Sequence, residues 1–463
     1  MKNINYYKKN ISETKITILG CGKSGIAAAN LGNYLGAEIF ISDNRKKIKK
    51  NQLIHCNKNN FEIGEHSNKC LDSDIIIKSP GINPNSKIIK TVLNKTKIPI
   101  ISEIEFASWF TTSPIIGITG SNGKSTTVKL LYDFFITKYK NTMLGGNIGI
   151  PFSNNVQKEI KLKIQRCIHI VELSSFQLEN IYTFSPQVAC ILNLSKDHLD
   201  RYSSIKEYFN TKFNIINNLS KKSFFIYNEE NKNLKKIINK NEKNYIAFGL
   251  NNNKNNFYLK NMKIISTQNK KNIINCEKIN LKGEHNYQNI VAALEISKIY
   301  KINFNSIMKK LELIKPLEHR MELVPSNSNI SFINDSKGTN INSTINAIKS
   351  YKKNIILIMG GYSKGKTKYK EFINTDLKHI KFIICYGDEG KNIFQELSQN
   401  FKCKYIKDFT RCIKYAIKIA QQKEIILLSP ACASFDQFNS FEERGEKFKE
   451  IIKNHNFKSE YAA

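Results

Sequence analysis

The sequence predicts an α/β protein of three domains built on mainly parallel sheets. Its 463 residues suffice, at about 150 residues per domain, for roughly three units that each bury a core. Short apolar runs of strand length alternate with helical patterns nearly throughout, as parallel βαβ units require. Two glycine-rich turns each follow an apolar strand and open a helix.

The first unit spans residues 1–102. Lys15–Leu19 reads as a strand, Ile26–Leu35 as a helix, and Glu38–Ser42 and Asp74–Lys78 as further strands of a doubly wound, Rossmann-like domain. The second unit spans residues 103–314. Its strand Pro114–Thr119 ends in a glycine loop, and a helix follows from Ser125 to Tyr139. Cys167–Glu172 and Val188–Asn193 are its next strands, Leu250–Lys278 reads as loops or edge strands, and Asn286–Tyr300 is a helix with small residues. In the third unit, residues 315–463, the strands are Ile330–Asn334, Asn354–Met359, Lys381–Tyr386 and Glu424–Leu428, with helices between them in a second Rossmann-like arrangement.

Composition narrows the function classes. Lys plus Arg number 72 against 39 Asp plus Glu, a formal net charge of +33. Such a balance suits nucleic acid or an anionic membrane, but the Lys residues are scattered among Asn and Ile and no aromatic-plus-basic motif accompanies them. Neither nucleic acid nor membrane is therefore expected as a partner. None of the ten Cys forms a CxxC pair and His is sparse, which argues against a Cys/His zinc site and for free thiols in a reducing compartment. No apolar run approaches the roughly 18 residues of a membrane span, and the polar N-terminus does not read as a signal peptide. The expectation is a cytoplasmic monomer.

Chemistry is concentrated in three motifs. Gly20-Cys-Gly22-Lys-Ser-Gly25 follows a strand, and its glycines let backbone N–H groups approach a pyrophosphate at a helix start. Asp43, at the end of the next strand, is placed to bind a ribose, so the motif fits a dinucleotide or a UDP-sugar and leaves an NAD-dependent oxidoreductase open. Thr119-Gly120-Ser121-Asn122-Gly123-Lys124-Ser125-Thr126 is a second phosphate loop, a Walker variant with Ile118 at the usual first glycine. Its amides can wrap phosphates, Lys124 can reach the terminal ones, and the Ser125 hydroxyl can hold Mg²⁺. Glu172 and His198 each lie at or beyond the end of a strand and could complete the metal site. Two phosphate-type loops in separate units point away from a simple dehydrogenase. A nucleic-acid-stimulated ATPase is the reading from another class.

With the stretches Glu172–Leu178, Asp197–Tyr202, His285–Asn289, Asn334–Asn340 and Ser429–Phe438, the whole chain resembles the Mur ligases, and within them the branch that adds D-glutamate. The Asp-Asn-Pro-Arg signature of the diaminopimelate- or lysine-adding relatives is not found. A different Mur or folyl-type ligase is the alternative nearest to this reading.

The resemblance implies a UDP-binding domain, a P-loop-type ATPase domain and an amino-acid-binding domain. It implies UDP-substrate contacts at Lys23, Ser24, Asn44, Arg45, Ser79 and Asn147. It implies ATP contacts at Asn286, Asn289, Arg320 and Asp335 beside Gly120–Thr126. It also implies that Lys212 is carbamylated and helps Ser125, Glu172 and His198 to hold two Mg²⁺ ions, with Lys124, Glu172, His198 and Lys212 catalytic. D-glutamate would meet Lys337, Thr339, Lys364, Ser434, Phe435 and Phe441, with Lys366 as the other register for Lys364. The implied reaction ligates D-glutamate to UDP-MurNAc-L-Ala with ATP, through an acyl phosphate, in peptidoglycan precursor synthesis.

Overall fold

The computed structural model describes residues 4–46, 60–235, 238, 244–363 and 369–455. Three largely parallel sheets follow one another along the chain, with a small antiparallel sheet beside the second.

The first sheet orders its strands Phe61–Ile63, Glu38–Asp43, Lys15–Leu19, Ile75–Lys78 and Ile100–Ser102, all parallel. Chain order reverses at Lys15–Leu19, so the turns after Leu19 and Lys78 border the crevice where such sheets bind ligands. The helix starts at Lys23 rather than Ile26 and runs to Tyr34. Its first turn carries Gly25, where a Cβ would lie 1.9 Å from the Gly20 carbonyl oxygen. Close packing of helix on strand sets that residue, against its poor helix propensity.

The second sheet runs Tyr245–Phe248, Phe224–Asn228, Val188–Ile191, Ile115–Thr119, Ile168–Glu172 and Thr142–Gly146, again all parallel. Ile115–Thr119 is central, so the loop that follows it faces the ends of its two neighbours, at Glu172 and beyond Ile191. Within the expected loop stretch Leu250–Lys278, an antiparallel meander forms from Phe257–Lys260, Lys263–Ser266 and Ile273–Asn275. It buries Phe257, Ile264 and Ile274 in the same core as helix Glu284–Ile299.

The third sheet is Glu322–Val324, Ser331–Asn334, Ile425–Ala431, Ile355–Gly360, Ile380–Tyr386 and Cys403–Tyr405, with only the first strand antiparallel. Its strands are apolar on both faces, as a sheet covered by helices on each side demands. One cluster forms around Leu357 and Ile383, the other around Ile356 and Ile384.

The first two units share one apolar cluster, which runs from Ile18 through Phe106 and Phe152 to Val171 and Phe225. Polar bonds reinforce the junction. Within the second unit, the Glu105 carboxylate at its start accepts the backbone N–H groups of Tyr182, Thr183 and Phe184. Glu179 takes Lys78 Nζ at 2.6 Å from the first unit and Arg201 Nε at 2.8 Å from the second. No helix among the described residues is long and apolar enough to cross a membrane.

Candidate active site

The loop after the central strand Ile115–Thr119 is held in shape before any ligand is considered. Gly123 has φ +86°, and a Cβ there would lie 2.3 Å from Asn289 Oδ1. The loop therefore needs glycine both for its left-handed turn and for close approach to helix Glu284–Ile299. The Ser121 hydroxyl donates to the Ser195 carbonyl at 2.9 Å, and the Asn122 N–H donates to Asn193 Oδ1 at 2.9 Å. Lys124 opens helix Lys124–Phe135. Its ammonium donates to the carbonyls of Gly120 and Ser121 at 2.7 and 2.9 Å, inside the curl of the loop.

A cavity of about 920 Å³ spreads from this loop and is walled by both the second and the third unit. Asn122, Lys124, Ser125, Thr126, Glu172 and His198 line it from one side, and Arg320, Asp335, Lys337, Thr339, Phe435 and Phe441 from the other. Ser121, Gly123, Asn147, Asn286 and Asn289 complete the expected residues on its wall. The sequence brought these groups into one site through strands and loops far apart in the chain.

Glu172 ends a buried strand and is itself only 1% exposed. Asn147 Nδ2 donates to its Oε1 at 2.8 Å, while its Oε2 is buried with no hydrogen-bond partner among the described residues. A carboxylate fixed at one oxygen and bare at the other fits a divalent cation. His198, with φ +54°, lies edge-on to Phe176 at 4.7 Å between ring centroids.

Four cations crowd this wall. Arg320 Nη2 and Lys337 Nζ both donate to Ser125 Oγ, at 3.2 and 3.3 Å. Burial first, and then the Arg320 and Lys124 charges, bring the Lys337 ammonium down to about 8. Lys212 is 1% exposed and stands behind the phosphate loop, donating to the Gly120 carbonyl at 3.1 Å. Burial, with Lys124 adding to it, pushes the Lys212 ammonium well below the usual lysine range, although Asp197 and Glu172 oppose the shift. Neighbouring positive charge thus adds to burial at both Lys337 and Lys212, an arrangement that favours a polyanion. Asp335 is buried and accepts Ser429 Oγ at 2.7 Å; burial raises its carboxyl to about 7.

Other expected positions sit differently. Ser434 is buried at 2% exposure, off the cavity wall, and accepts at its carbonyl from the Phe438 N–H. Lys364 and Lys366 lie outside the described residues. In the first unit, Lys23 begins its helix, and the Ser79 hydroxyl donates to the Gly20 carbonyl at 3.0 Å. Asn44 and Arg45 follow strand Glu38–Asp43.

Asp43 corrects the expectation of a ribose ligand. Its Oδ2 accepts the Cys21 N–H at 2.6 Å and Arg45 Nη2 at 2.8 Å, and its Oδ1 accepts Arg45 Nε at 2.9 Å. These bonds outweigh the burial that would raise it and hold the carboxyl at about 2. Asp43 closes the glycine turn, and the reading as an NAD enzyme loses its acidic ribose contact.

Sequence reasoning missed the polar contacts between the second and third units. Asn340 caps helix Ile341–Lys349 and reaches both Asn122 and Asp197. It lies in the Asn334–Asn340 stretch, but nothing in spacing reveals a partner more than two hundred residues away. His285, whose imidazole burial brings to about 4, and Gln288 also line the cavity.

Comparison with known proteins extends this picture. Residues 15–88 match the model of the MurD N-terminal domain, residues 118–297 the Mur ligase middle domain, and residues 319–432 the glutamate ligase domain of Mur ligases. The chain is 35% identical to the UDP-N-acetylmuramoylalanine–D-glutamate ligase of Christiangramia forsetii, over 95% of this chain and 99% of that protein. It is 37% identical to the enzyme of that name from Elusimicrobium minutum, over 95% and 97% of the two chains. Among solved structures, it is similar to the UDP-N-acetylmuramate-alanine ligase MurC of Thermotoga maritima, with TM-score 0.61, 17% identity, and 94% and 98% of the chains covered. It is also similar to the MurF ligase of Thermotoga maritima in complex with ADP, with TM-score 0.57, 15% identity, and 96% of each chain covered. At such identities these structures speak for the fold alone.

Proposed function

The chain belongs to the Mur ligase family, and we infer that it is a D-glutamate-adding member, joining D-glutamate to UDP-N-acetylmuramoyl-L-alanine with ATP. The observation that carries this reading is the single cavity shared by the second and third units, where Lys124 of the phosphate loop faces Lys337 and Arg320 across Ser125. The names of its relatives over nearly their whole length supply the substrates.

The reaction must bring a carboxylate, a triphosphate and a dicarboxylic amino acid together. The alanyl carboxylate oxygen attacks the γ-phosphorus and the bond to ADP breaks, leaving an acyl phosphate. The free amine of D-glutamate then attacks the acyl carbon, a proton leaves the nitrogen, and phosphate departs as the amide forms. Lys124 and the loop amides hold the terminal phosphates, and Arg320 and Lys337 approach them from the third unit. The UDP portion would be held at Lys23, Ser24, Asn44, Arg45 and Ser79, with Asn147 completing the contact.

Mg²⁺ fits the Glu172 Oε2 atom, with the Ser125 hydroxyl and His198 on the same wall; when bound, it neutralises phosphate charge and polarises the transferring group. Lys212 is placed for carbamylation because it is buried directly behind the phosphate loop, and burial shifts its ammonium toward the neutral amine, the form that adds carbon dioxide with loss of a proton. The product carbamate would give a second cation its anionic ligand. Lys337, Thr339, Phe435 and Phe441 are proposed for D-glutamate with Ser434, and Lys364 for its side-chain carboxylate. We place the enzyme in the cytoplasm, as a monomer.

Substrate labelled with ¹⁸O in the alanyl carboxylate tests the mechanism. One ¹⁸O atom should appear in the phosphate released with D-glutamate. Unlabelled phosphate alongside ligated product would overturn the acyl-phosphate route.

A further inference from the structure

Arg444 is fully buried at 0% exposure, in helix Phe441–Lys453. Burying a guanidinium with no carboxylate hydrogen-bonded to it is costly, yet among the described residues all its hydrogen-bond acceptors are neutral, and the Asp335 carboxylate acts on it only through its charge. Nε donates to Ser336 Oγ at 2.9 Å, and Nη2 to the carbonyls of Ser336 and Cys432 at 2.7 and 3.2 Å. Nη1 donates to the Tyr386 hydroxyl and the Ala433 carbonyl, each at 3.1 Å. At Gly361 a Cβ would lie 3.1 Å from Nη1, so that backbone packs against the guanidinium as well.

These contacts have a pattern. Ser336 follows strand Ser331–Asn334, Gly361 follows Ile355–Gly360, Tyr386 ends Ile380–Tyr386, and Cys432 follows Ile425–Ala431. One planar fork thus ties the C-terminal ends of four neighbouring parallel strands, the edge at which open α/β sheets bind ligands. Ser336 Oγ passes the contact on, donating to the Phe441 carbonyl at 2.8 Å. Lys337 and Thr339 lie just beyond Ser336, and Phe435 just beyond Ala433.

We propose that Arg444 is the positioning residue of the amino-acid pocket, setting the loops that hold the substrate and lending a buried positive charge that favours a dicarboxylic amino acid. This rests on the D-glutamate reading of the pocket. No other side chain offers the same planar set of donors, so lysine keeps the charge but loses the fork, and glutamine loses the charge.

The test is steady-state kinetics on full-length Arg444→Lys and Arg444→Gln, with D-glutamate and ATP varied in turn. From the worth of charge-assisted hydrogen bonds, KM for D-glutamate should rise about tenfold in Arg444→Lys and about a hundredfold in Arg444→Gln, while KM for ATP stays within about threefold. An unchanged KM for D-glutamate overturns the proposal, as does a parallel rise in both constants, which would mark a general loss of structure. Equal rises in the two variants overturn the electrostatic half. If Arg444→Gln does not fold, Tyr386→Phe decides, since it removes one acceptor at nearly constant volume and should raise KM for D-glutamate about threefold; no rise counts against the proposal. An unmodified enzyme that does not use D-glutamate sinks the substrate reading and this inference with it, whereas an active enzyme with indifferent variants sinks the inference alone.

Discussion

Asn122 of the phosphate loop and Asn340 of the third unit exchange side-chain amides: Asn340 Nδ2 donates to Asn122 Oδ1 at 3.0 Å, and Asn122 Nδ2 to Asn340 Oδ1 at 3.4 Å. The same Asn340 accepts the Ser343 N–H at 2.9 Å as the cap of helix Ile341–Lys349. The loop that would hold phosphate and the helix that follows the Lys337–Thr339 turn thus share one residue. A single side chain of the third unit is bonded to the phosphate loop while it caps its own helix.

Two substitutions separate the two roles of Asn340. Asn340→Asp keeps a capping acceptor but places a carboxylate against Asp197 and the phosphates. It should retain thermal stability and lose about ten- to a hundredfold in turnover, as like-charge contacts cost several kcal/mol. Asn340→Ala should also lower stability by about 1 kcal/mol. Full turnover in Asn340→Asp, measured by phosphate release beside a melting curve, contradicts the shared role.

Lys212→Ala should fold and lose activity, because the buried amine stands directly behind the phosphate loop. Added short carboxylates should restore part of the rate by standing in for a carbamate. Activity equal to that of the unmodified enzyme, with no additive, contradicts the carbamate.

Glu103 gives a prediction on stability. It is 1% exposed, at the junction of the first two units, and accepts the Ser153 N–H, while its Oε2 is buried without a hydrogen-bond partner among the described residues. Burial raises its carboxyl from 4.5 to about 7, against the Ser153 hydrogen bonds. Between these values the folded state binds more protons than the unfolded one. Stability therefore falls as pH rises from about 4.5 to about 7, and the penalty persists above. Glu103→Gln should be more stable at pH 8 by up to about 3 kcal/mol, with little gain near pH 4. Denaturant melts at both values measure this; an equal effect at both contradicts it.

Much of this architecture is legible in the sequence because apolar runs such as Ile16–Leu19 and Ile425–Leu428 are buried on both faces and read as strands without context. Phe61–Ile63, Ile100–Ser102 and Cys403–Tyr405 are only three residues each, too short for periodicity, and are strands because a neighbour supplies the ladder. Side-chain pairing was less legible. Asp43 has the right position for a ribose, yet Arg45, two residues on, occupies it. The resemblance implies that Lys337 is an amino-acid ligand, and its side chain reaches Ser125 of the phosphate loop. The burial of Lys212 and the five neutral acceptors of Arg444 depend on which loops meet, information that no single segment carries.

The central claim is the identity of the amino acid, and phosphate release from ATP with UDP-N-acetylmuramoyl-L-alanine across a panel of amino acids tests it most directly. The account predicts release that requires both the nucleotide substrate and D-glutamate, with L-glutamate, L-lysine and diaminopimelate near background. Release with L-glutamate equal to that with D-glutamate, or none with D-glutamate from a folded, ATP-binding protein, would contradict it.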